Sequence, residues 1–429
     1  MTIVACSTPP GVSGIAVVRI SGKGAIKNIS TFVKDSPFDD KTPLSRVCFL
    51  VDRDGEVFDE AVITSYVGPN SYTGENLVEI SCHGNPKIIS RIIDLSVDAG
   101  SRLAEAGEFT KTAFLNGKLD LSEAESVASI IHSLSLTGVK AGVKNLKGGL
   151  SKEIRSIKSS LISLVANLEF NLDISEEDLQ PDLLKQTRET VLAVAKKLND
   201  CIHCFEETKM FQSGASVVIL GPPNAGKSTL FNRLVNKNQS IVTSVEGTTR
   251  DVIEKNINIS GLPILLKDTA GIRDSGDDVE KIGVERSFVE AKDADLVVVL
   301  NDRSLSFGDT KHIHVFNKSD IKTPDEKYDI SISAKTGDGV KKLKETVYNS
   351  LVGNKVQTDT LIISKRQCNA IKGALKHIKE AHLLLLAGDS IELLIEDINR
   401  SIGFLDSITE KTTKDDVLDA VFSSFCVGK

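Results

Sequence analysis

The sequence predicts a multidomain protein with an N-terminal α+β domain, a discontinuous all-α helical domain, and an α/β domain inserted between the two helical parts. Three observations predict this. Short β-branched runs broken by Gly, Pro and Asn occupy residues 1–118. Apolar residues at helical spacing occupy residues 119–210 and return over 351–429. Between them, over residues 211–350, apolar strand runs alternate with amphipathic stretches, the texture of a parallel sheet with crossover helices.

In the first domain, Gly14–Ile20, Val47–Val51, Ala61–Tyr66 and Leu77–Ser81 read as strands, and Pro86–Ala99 reads as a helix. In the helical domain, Leu121, Ala124, Val127, Ala128 and Ile131 share one helix face, and Ser122 with Glu125 resembles a capping box at its start. Leu161, Leu164, Val165 and Leu168 keep the same period, so residues 152–205 read as long bundle helices. The inserted domain has strand runs at Val217–Leu220, Leu265–Leu266 and Leu296–Leu300. The stretch from Asn301 to Val315 is short for a strand–helix–strand unit, which leaves open whether a helix precedes Asn317. Ile371, Leu375 and Ile378, then Ile391, Leu394, Ile395 and Ile398, carry the helical period onward.

With 429 residues, 40% hydrophobic and 26% charged, the chain can bury roughly three domain cores without disulfide staples. The net charge of −7 argues against non-specific attraction of nucleic acid, so an RNA partner would be held by a local basic patch or by a second protein. The seven cysteines lack framework spacing, which fits a reducing compartment. Cys201 and Cys204 form one C-x-x-C, but no second pair lies nearby to complete a zinc site, and a packing role is expected. The start of the chain lacks the pattern of a signal peptide, and Leu161–Val165 and Leu383–Ala387 are too short to span a bilayer. A cytoplasmic protein without a membrane partner is expected.

The chemistry is concentrated between Gly221 and Lys335. Gly221-Pro-Pro-Asn224-Ala225-Gly226-Lys227-Ser228 fits G-x-x-x-x-G-K-[ST], lying after an apolar strand and before a helical stretch that opens with Thr229. Glycines let successive backbone N–H groups face a phosphate, and the helix N-terminus adds positive potential. Lys227 can neutralise β/γ-phosphate charge, and the Ser228 hydroxyl can ligate Mg²⁺. Asp268-Thr269-Ala270-Gly271 puts an acid at a strand end, where it can hold Mg²⁺ through water, and offers the Gly271 N–H to a γ-phosphate. Asn317-Lys318-Ser-Asp320 puts Asp320 where it can accept two hydrogen bonds from the guanine edge, a donor pair that adenine lacks. Ser333-Ala334-Lys335 can close over the base with backbone N–H groups. Thr243-Ser244-Val245-Glu246-Gly247-Thr248-Thr249 lies between these motifs, and a threonine such as Thr249 can complete Mg²⁺ coordination once a γ-phosphate is present. Together the motifs imply binding of GTP and GDP. Ile272 follows Gly271, where Ras-type proteins carry a water-orienting Gln, so another group must orient the water.

Blocks on either side of these motifs carry a family resemblance: Thr8-Pro-Pro-Gly11, Val18-Arg19-Ile20-Ser-Gly22, Tyr72-Thr-Gly-Glu-Asn-Leu-Val-Glu79-Ile80, Ala106-Gly-Glu-Phe-Thr110, Ala113-Phe-Leu-Asn-Gly-Lys118-Leu-Asp-Leu121 and Phe425-Cys-Val-Gly-Lys429. Over essentially its whole length the chain resembles the MnmE (TrmE) family of tRNA-modification GTPases. The resemblance implies four segments: a tetrahydrofolate-binding, dimer-forming N-terminal domain over 1–118, helical parts over 119–210 and 351–429, and a Ras-like P-loop G domain over 211–350. It implies a homodimer that works with the flavoprotein MnmG, in a heterotetramer, on carbon 5 of the wobble uridine of certain tRNAs. The one-carbon unit would come from 5,10-methylene- or 5-formyl-tetrahydrofolate. By residue matching, Arg19, Glu79, Lys118 and Lys429 are the folate-contacting positions. Asn224, with the carbonyls of Thr243, Val245 and Thr248, would ligate K⁺, and Glu280 would be the catalytic glutamate, beside Lys227 and Gly271. Cys426 invites a catalytic role, but a small packing residue is the expectation. The competing reading is a ribosome-assembly or RNA-binding GTPase switch, which would want a basic RNA-binding appendage.

Overall fold

The computed structural model describes residues 1–174, 181–235, 253–268, 289–308, 310–324, 327–353, 364–388, 390–409 and 415–429. The chain divides into two compact units, residues 1–128, 145–195 and 369–429 in one, and 129–144 with 196–368 in the other.

In the first unit, a six-stranded sheet runs in the order β3-β4-β5-β2-β1-β6. Its strands are β1 (Ile3–Cys6), β2 (Ser13–Ser21), β3 (Leu44–Val51), β4 (Val57–Tyr66), β5 (Leu77–Gly84) and β6 (Arg102–Leu103). Every pairing is antiparallel except β1 with β6. Alternation along β4 sends Ala61 and Ile63 inward, and β2 contributes Ala16, Val18 and Ile20 to the same core. Helices α1 (Ala25–Ile29) and α2 (Pro86–Asp98) close that core; Asn85 caps α2 through the Lys87 N–H, and Pro86 stands where its missing N–H has no partner to lose. Helix α3 (Glu108–Leu115) follows a left-handed Gly107.

The helices predicted from periodicity are present: α4 (Leu121–His132), α5 (Leu136–Leu146), α6 (Gly149–Ile174) and α7 (Pro181–Ser213). The capping pair differs from the predicted one. Asp120 and Glu123, not Ser122 and Glu125, exchange reciprocal hydrogen bonds with each other's N–H at 2.9 Å. Asp120 is the residue just outside the helix, where its carboxylate can reach the orphan donors of the first turn, whereas Ser122 and Glu125 are already inside it and buried.

The second unit holds a sheet in the order β12-β11-β10-β7-β9-β8, with strands β7 (Ala215–Leu220), β8 (Ile253–Ile259), β9 (Leu262–Asp268), β10 (Leu296–Leu300), β11 (His312–Asn317) and β12 (Ile330–Ile332). All pair in parallel except β8 with β9. Helices α8 (Lys227–Leu234) and α9 (Val340–Val352) pack on one face with Val217, Ile219, Val298, Leu300, Val315 and Ile332. The connection from β10 to β11 carries no helix among its described residues, although parallel neighbours usually need one. Phe307 and Leu305 do its work instead, packing against Val218, Leu220, Val297 and Val299. The remaining helices, α10 (Lys365–Ala387), α11 (Ile391–Thr409) and α12 (Asp415–Phe422), complete the order.

Candidate functional site

The strand ends of the second unit carry the first group of residues. Strand β7 ends at Leu220, and the chain turns through Gly221 and Asn224 into α8. Gly221 lies so close to β10 that a Cβ there would come within 2.4 Å of the Leu300 carbonyl oxygen. Asn224 and Gly226 both have positive φ, 59° and 91°, so the backbone curls through this loop, and the Ala225 N–H donates to Pro222 O at 3.2 Å. The Lys227 ammonium lies across this loop, donating to the carbonyls of Gly221 at 2.8 Å and Pro222 at 3.1 Å. Burial pushes the Lys227 ammonium below the ordinary lysine range, with Asp268 acting in the opposite direction. Ser228 and Thr229 are exposed on the first turn of α8. Asp268, only 2% exposed, ends β9 in register with Ile219 of β7.

A hydrogen-bonded spine joins the Gly221–Ser228 loop to the Asn317–Asp320 and Ser333–Lys335 segments. The Asn317 amide donates to Ala225 O at 2.8 Å and accepts from Ala334 N–H at 2.9 Å, while the Asn317 N–H donates to Asn301 Oδ1 at 2.6 Å. Gly226 is required opposite that amide, since a Cβ would meet Asn317 Nδ2 at 2.4 Å. Lys318 takes a left-handed φ of 72°, which turns the chain out of β11, and Asp320 follows, exposed. Ser333 is fully buried and its N–H donates to Asp338 O, forming the loop that carries Ala334 and Lys335. The structure thus joins Asn317, Ala225 and Ala334 directly, and leaves Asp320 and Lys335 open to solvent. Thr243, Ser244, Val245, Glu246, Gly247, Thr248, Thr249, Thr269, Ala270, Gly271 and Glu280 lie outside the described residues. Among the others, Ser228 and Asp268 offer the oxygen donors that Mg²⁺ wants, and Asn224 offers a side-chain carbonyl for a monovalent cation. Asn301 and Arg233, which bonds the carbonyls of Ala334 and Lys335, were not expected to contribute; neither sits in a motif.

The first unit carries the second group. Arg19 of β2 and Glu79 of β5 are register partners, and the guanidinium donates to Glu79 Oε1 through Nε at 2.9 Å and Nη2 at 2.6 Å. Arg19 Nη1 also donates to Gly428 O at 3.2 Å, as does the Ser7 hydroxyl at 3.0 Å. The tail is fixed alongside by a bridge between Ala106 and Val427 and by Phe109 N–H donating to Lys429 O. The guanidinium lies 5.5 Å from the Tyr72 ring centroid and 5.8 Å from that of Phe109. Lys429 is held below the ordinary lysine range, first by burial and then by Arg19, with Glu79 opposing. Arg19, Glu79 and Lys429 therefore form one cluster. Lys118 does not join their hydrogen bonds; its ammonium donates to Pro69 O at 3.1 Å. Phe109 is fully buried and backs the Arg19 guanidinium, so the groups this cluster can offer a ligand are two cations, a carboxylate and the part-buried Tyr72, a set that suits a polar ring with an acidic tail. The aromatic pair was inside the recognised blocks but had no signal of its own. Cys426 departs from the expected packing role: it is exposed, because Phe425 takes the buried position and the chain then runs along Ala106. No helix among the described residues is long and apolar enough to cross a membrane.

Comparisons with known proteins cover both units. The family model described as "GTP-binding protein TrmE N-terminus" matches residues 2–118, and the one described as "MnmE helical domain" matches residues 121–426. The tRNA modification GTPase MnmE of Aquifex aeolicus is 38% identical over 445 aligned positions, covering 100% of this chain and 99% of that protein. The protein of the same description from Thermotoga maritima is 35% identical over 455 aligned positions, covering 100% of both. Among solved structures, Aquifex aeolicus Era bound to GDP·AlF4⁻ is similar over 38% of this chain and 66% of that one, at 24% identity and a TM-score of 0.26.

Proposed function

The chain belongs to the MnmE family of tRNA modification GTPases and is a GTP hydrolase; from that premise we propose that hydrolysis depends on K⁺ and on pairing of two G domains, and that it serves a folate-dependent change at carbon 5 of the wobble uridine, carried out by a homodimer together with MnmG. The nucleotide would lie along the loop from Gly221 to Ser228, with Asn317 and Asp320 at its base. Lys227 holds phosphate charge. Ser228, Asp268 and Thr249 would hold Mg²⁺. Asn224, with the carbonyls of Thr243, Val245 and Thr248, would hold K⁺, which supplies positive charge where negative charge develops between the β- and γ-phosphates. Glu280 would position the attacking water indirectly, and Gly271 would meet the γ-phosphate. The remaining nucleotide-facing positions are Ser244, Glu246, Gly247, Thr269 and Ala270.

The folate reading rests on one observation above the others: Arg19, Glu79 and the Gly428–Lys429 segment converge although 409 residues separate Arg19 from Gly428. Glu79 can accept from ring N–H groups, and Arg19 and Lys429 can face carboxylates, with Lys118 a further cation for an acidic tail. Tetrahydrofolate supplies the one-carbon unit when bound.

The deciding experiment has two arms on the full-length chain. Single-turnover GTP hydrolysis in matched K⁺ and Na⁺ buffers should be much faster in K⁺, and Asn224→Ala should remove that advantage while GTP still binds. Equal rates in the two salts would end the cation reading. In the second arm, 5-formyltetrahydrofolate binding should weaken when Lys429 is deleted, with GDP affinity unchanged. Unaltered folate affinity after replacing both Arg19 and Lys118 by Ala would remove the folate site.

A further inference from the structure

Arg233 stands on the last turn of α8, away from the phosphate end of that helix. Its guanidinium reaches a different loop. Nε donates to Ala334 O at 3.1 Å, and Nη2 donates to Lys335 O. The fit is close, since a Cβ on Gly337 would approach Arg233 Nη1 to 3.3 Å. A guanidinium presents its N–H groups as a rigid fork, so two neighbouring carbonyls held by one fork have little freedom to rotate.

The consequence lies on the far side of the peptide. Among the described residues the one cis bond is Gly68–Pro69, so the Ala334–Lys335 peptide is trans. In a trans peptide the C=O and N–H of one plane point in opposite directions. Fixing Ala334 O against Arg233 therefore aims the Lys335 N–H away from α8. The neighbouring donors of this loop are already used. Ala334 N–H goes to Asn317 Oδ1, Thr336 N–H to Ser333 Oγ at 3.1 Å, and Gly337 N–H to Ser333 O at 2.8 Å. Among the described residues the Lys335 N–H meets no acceptor. The loop follows β12, whose neighbour β11 leads into Lys318 and Asp320.

We infer that Arg233 is a positioning residue for base recognition: by clasping the Ala334 and Lys335 carbonyls it turns the Lys335 N–H toward an acceptor on the base, the 6-oxo group of guanine. The inference rests on the GTP reading above, in which the Ser333–Lys335 backbone closes over the base, and adds Arg233 as the side chain that holds that donor in place. Asp320 accepts from the guanine N–H groups, whereas the Lys335 N–H donates to the oxygen. Adenine presents an amino group at that position, and a donor would then face a donor.

The test measures equilibrium binding and dissociation of two nucleotides with the full-length chain. One is GDP. The other is 2-aminopurine riboside diphosphate, which has no 6-oxo group. Arg233→Ala should weaken GDP roughly tenfold, mainly through faster dissociation, and leave the 2-aminopurine nucleotide unchanged. Arg233→Lys, which keeps the charge but loses the fork, should show an intermediate loss, again for GDP alone. Equal weakening of both nucleotides in both variants would mean that Arg233 only supports the fold, and would overturn the inference. So would GDP affinity that does not change. Wild-type protein that fails to bind GDP would instead overturn the GTP reading itself.

Discussion

At Gly428 the backbone runs at a φ of 92°, and a Cβ would come within 2.5 Å of Cys6 O and 2.8 Å of Ser7 Cα. Both neighbours are backbone atoms of the first strand and its turn, so neither can swing aside. Gly428→Ala should therefore cost about 1–3 kcal/mol, from overpacking and from the left-handed conformation together. Urea unfolding followed by circular dichroism would measure it, and a variant as stable as the parent would mean that the tail is not clasped as described. The same position explains what the sequence could and could not reveal. The motif Phe425-Cys-Val-Gly-Lys429 was recognisable as a block, and Arg19 and Glu79 were recognisable within theirs. That Gly428 O receives bonds from Arg19 and Ser7 was not legible, because no periodicity links residues so distant. Arg233 was hidden for a different reason: it looks like an ordinary basic residue on a helix, and its partners are backbone carbonyls, which every residue has.

The strands and helices were mostly legible because their periods are local. The buried runs Ala215–Leu220 and Leu296–Leu300, and the alternating Val57–Tyr66, announce themselves within a few residues. The two-residue strand Arg102–Leu103 was not legible; its pairing with Ile3 and Val4 is a tertiary event without enough residues to carry a pattern. The cap of α4 was displaced from its expected pair because two acidic and hydroxyl pairs at the same spacing overlap there, and only the helix start decides between them. The connection between β10 and β11 yields a prediction at this scale. Phe307 is 7% exposed and, with Leu305, covers Val218, Leu220, Val297 and Val299 where a crossover helix would normally lie. Phe307→Ala should destabilise by about 3–5 kcal/mol, since removing the ring leaves a cavity over Val218, Leu220, Val297 and Val299 that the smaller Leu305 cannot fill. Denaturant unfolding monitored by nucleotide release checks it. A loss below about 1 kcal/mol would mean that the loop collapses into the gap and that Phe307 is not the plug.

Each of the two compact units closes cores of its own, around Ile63, Ile80 and Ile92 in one and around Ile219, Val298 and Val315 in the other. A ligand that binds one native unit raises the stability of that unit alone by mass action. Calorimetry should therefore resolve two transitions, and Mg²⁺ with GDP should raise one of them, while a reduced folate should raise the other. A single transition that both ligands shift equally would refute independent units. At this scale the sequence conveyed the order of textures and the insertion of an α/β segment within helical ones, because composition changes sharply near residues 119, 211 and 351. It could not convey that Ser129–Lys144 groups with the later unit, since its helix reads like those around it. The docking of Gly428 beside Arg19 has a consequence for biosynthesis. Synthesis runs from the first residue upward at about 5–20 residues per second, so Arg19 emerges roughly 20–80 s before the carbonyl it binds. During that interval the Arg19–Glu79 pair can form, but the Gly428 oxygen and the Lys429 ammonium do not yet exist on the nascent chain. A message cut between the codons for Lys335 and Phe425 would therefore keep every nucleotide motif, while Arg19 and Glu79 would lack the Gly428 oxygen and the Lys429 ammonium beside them.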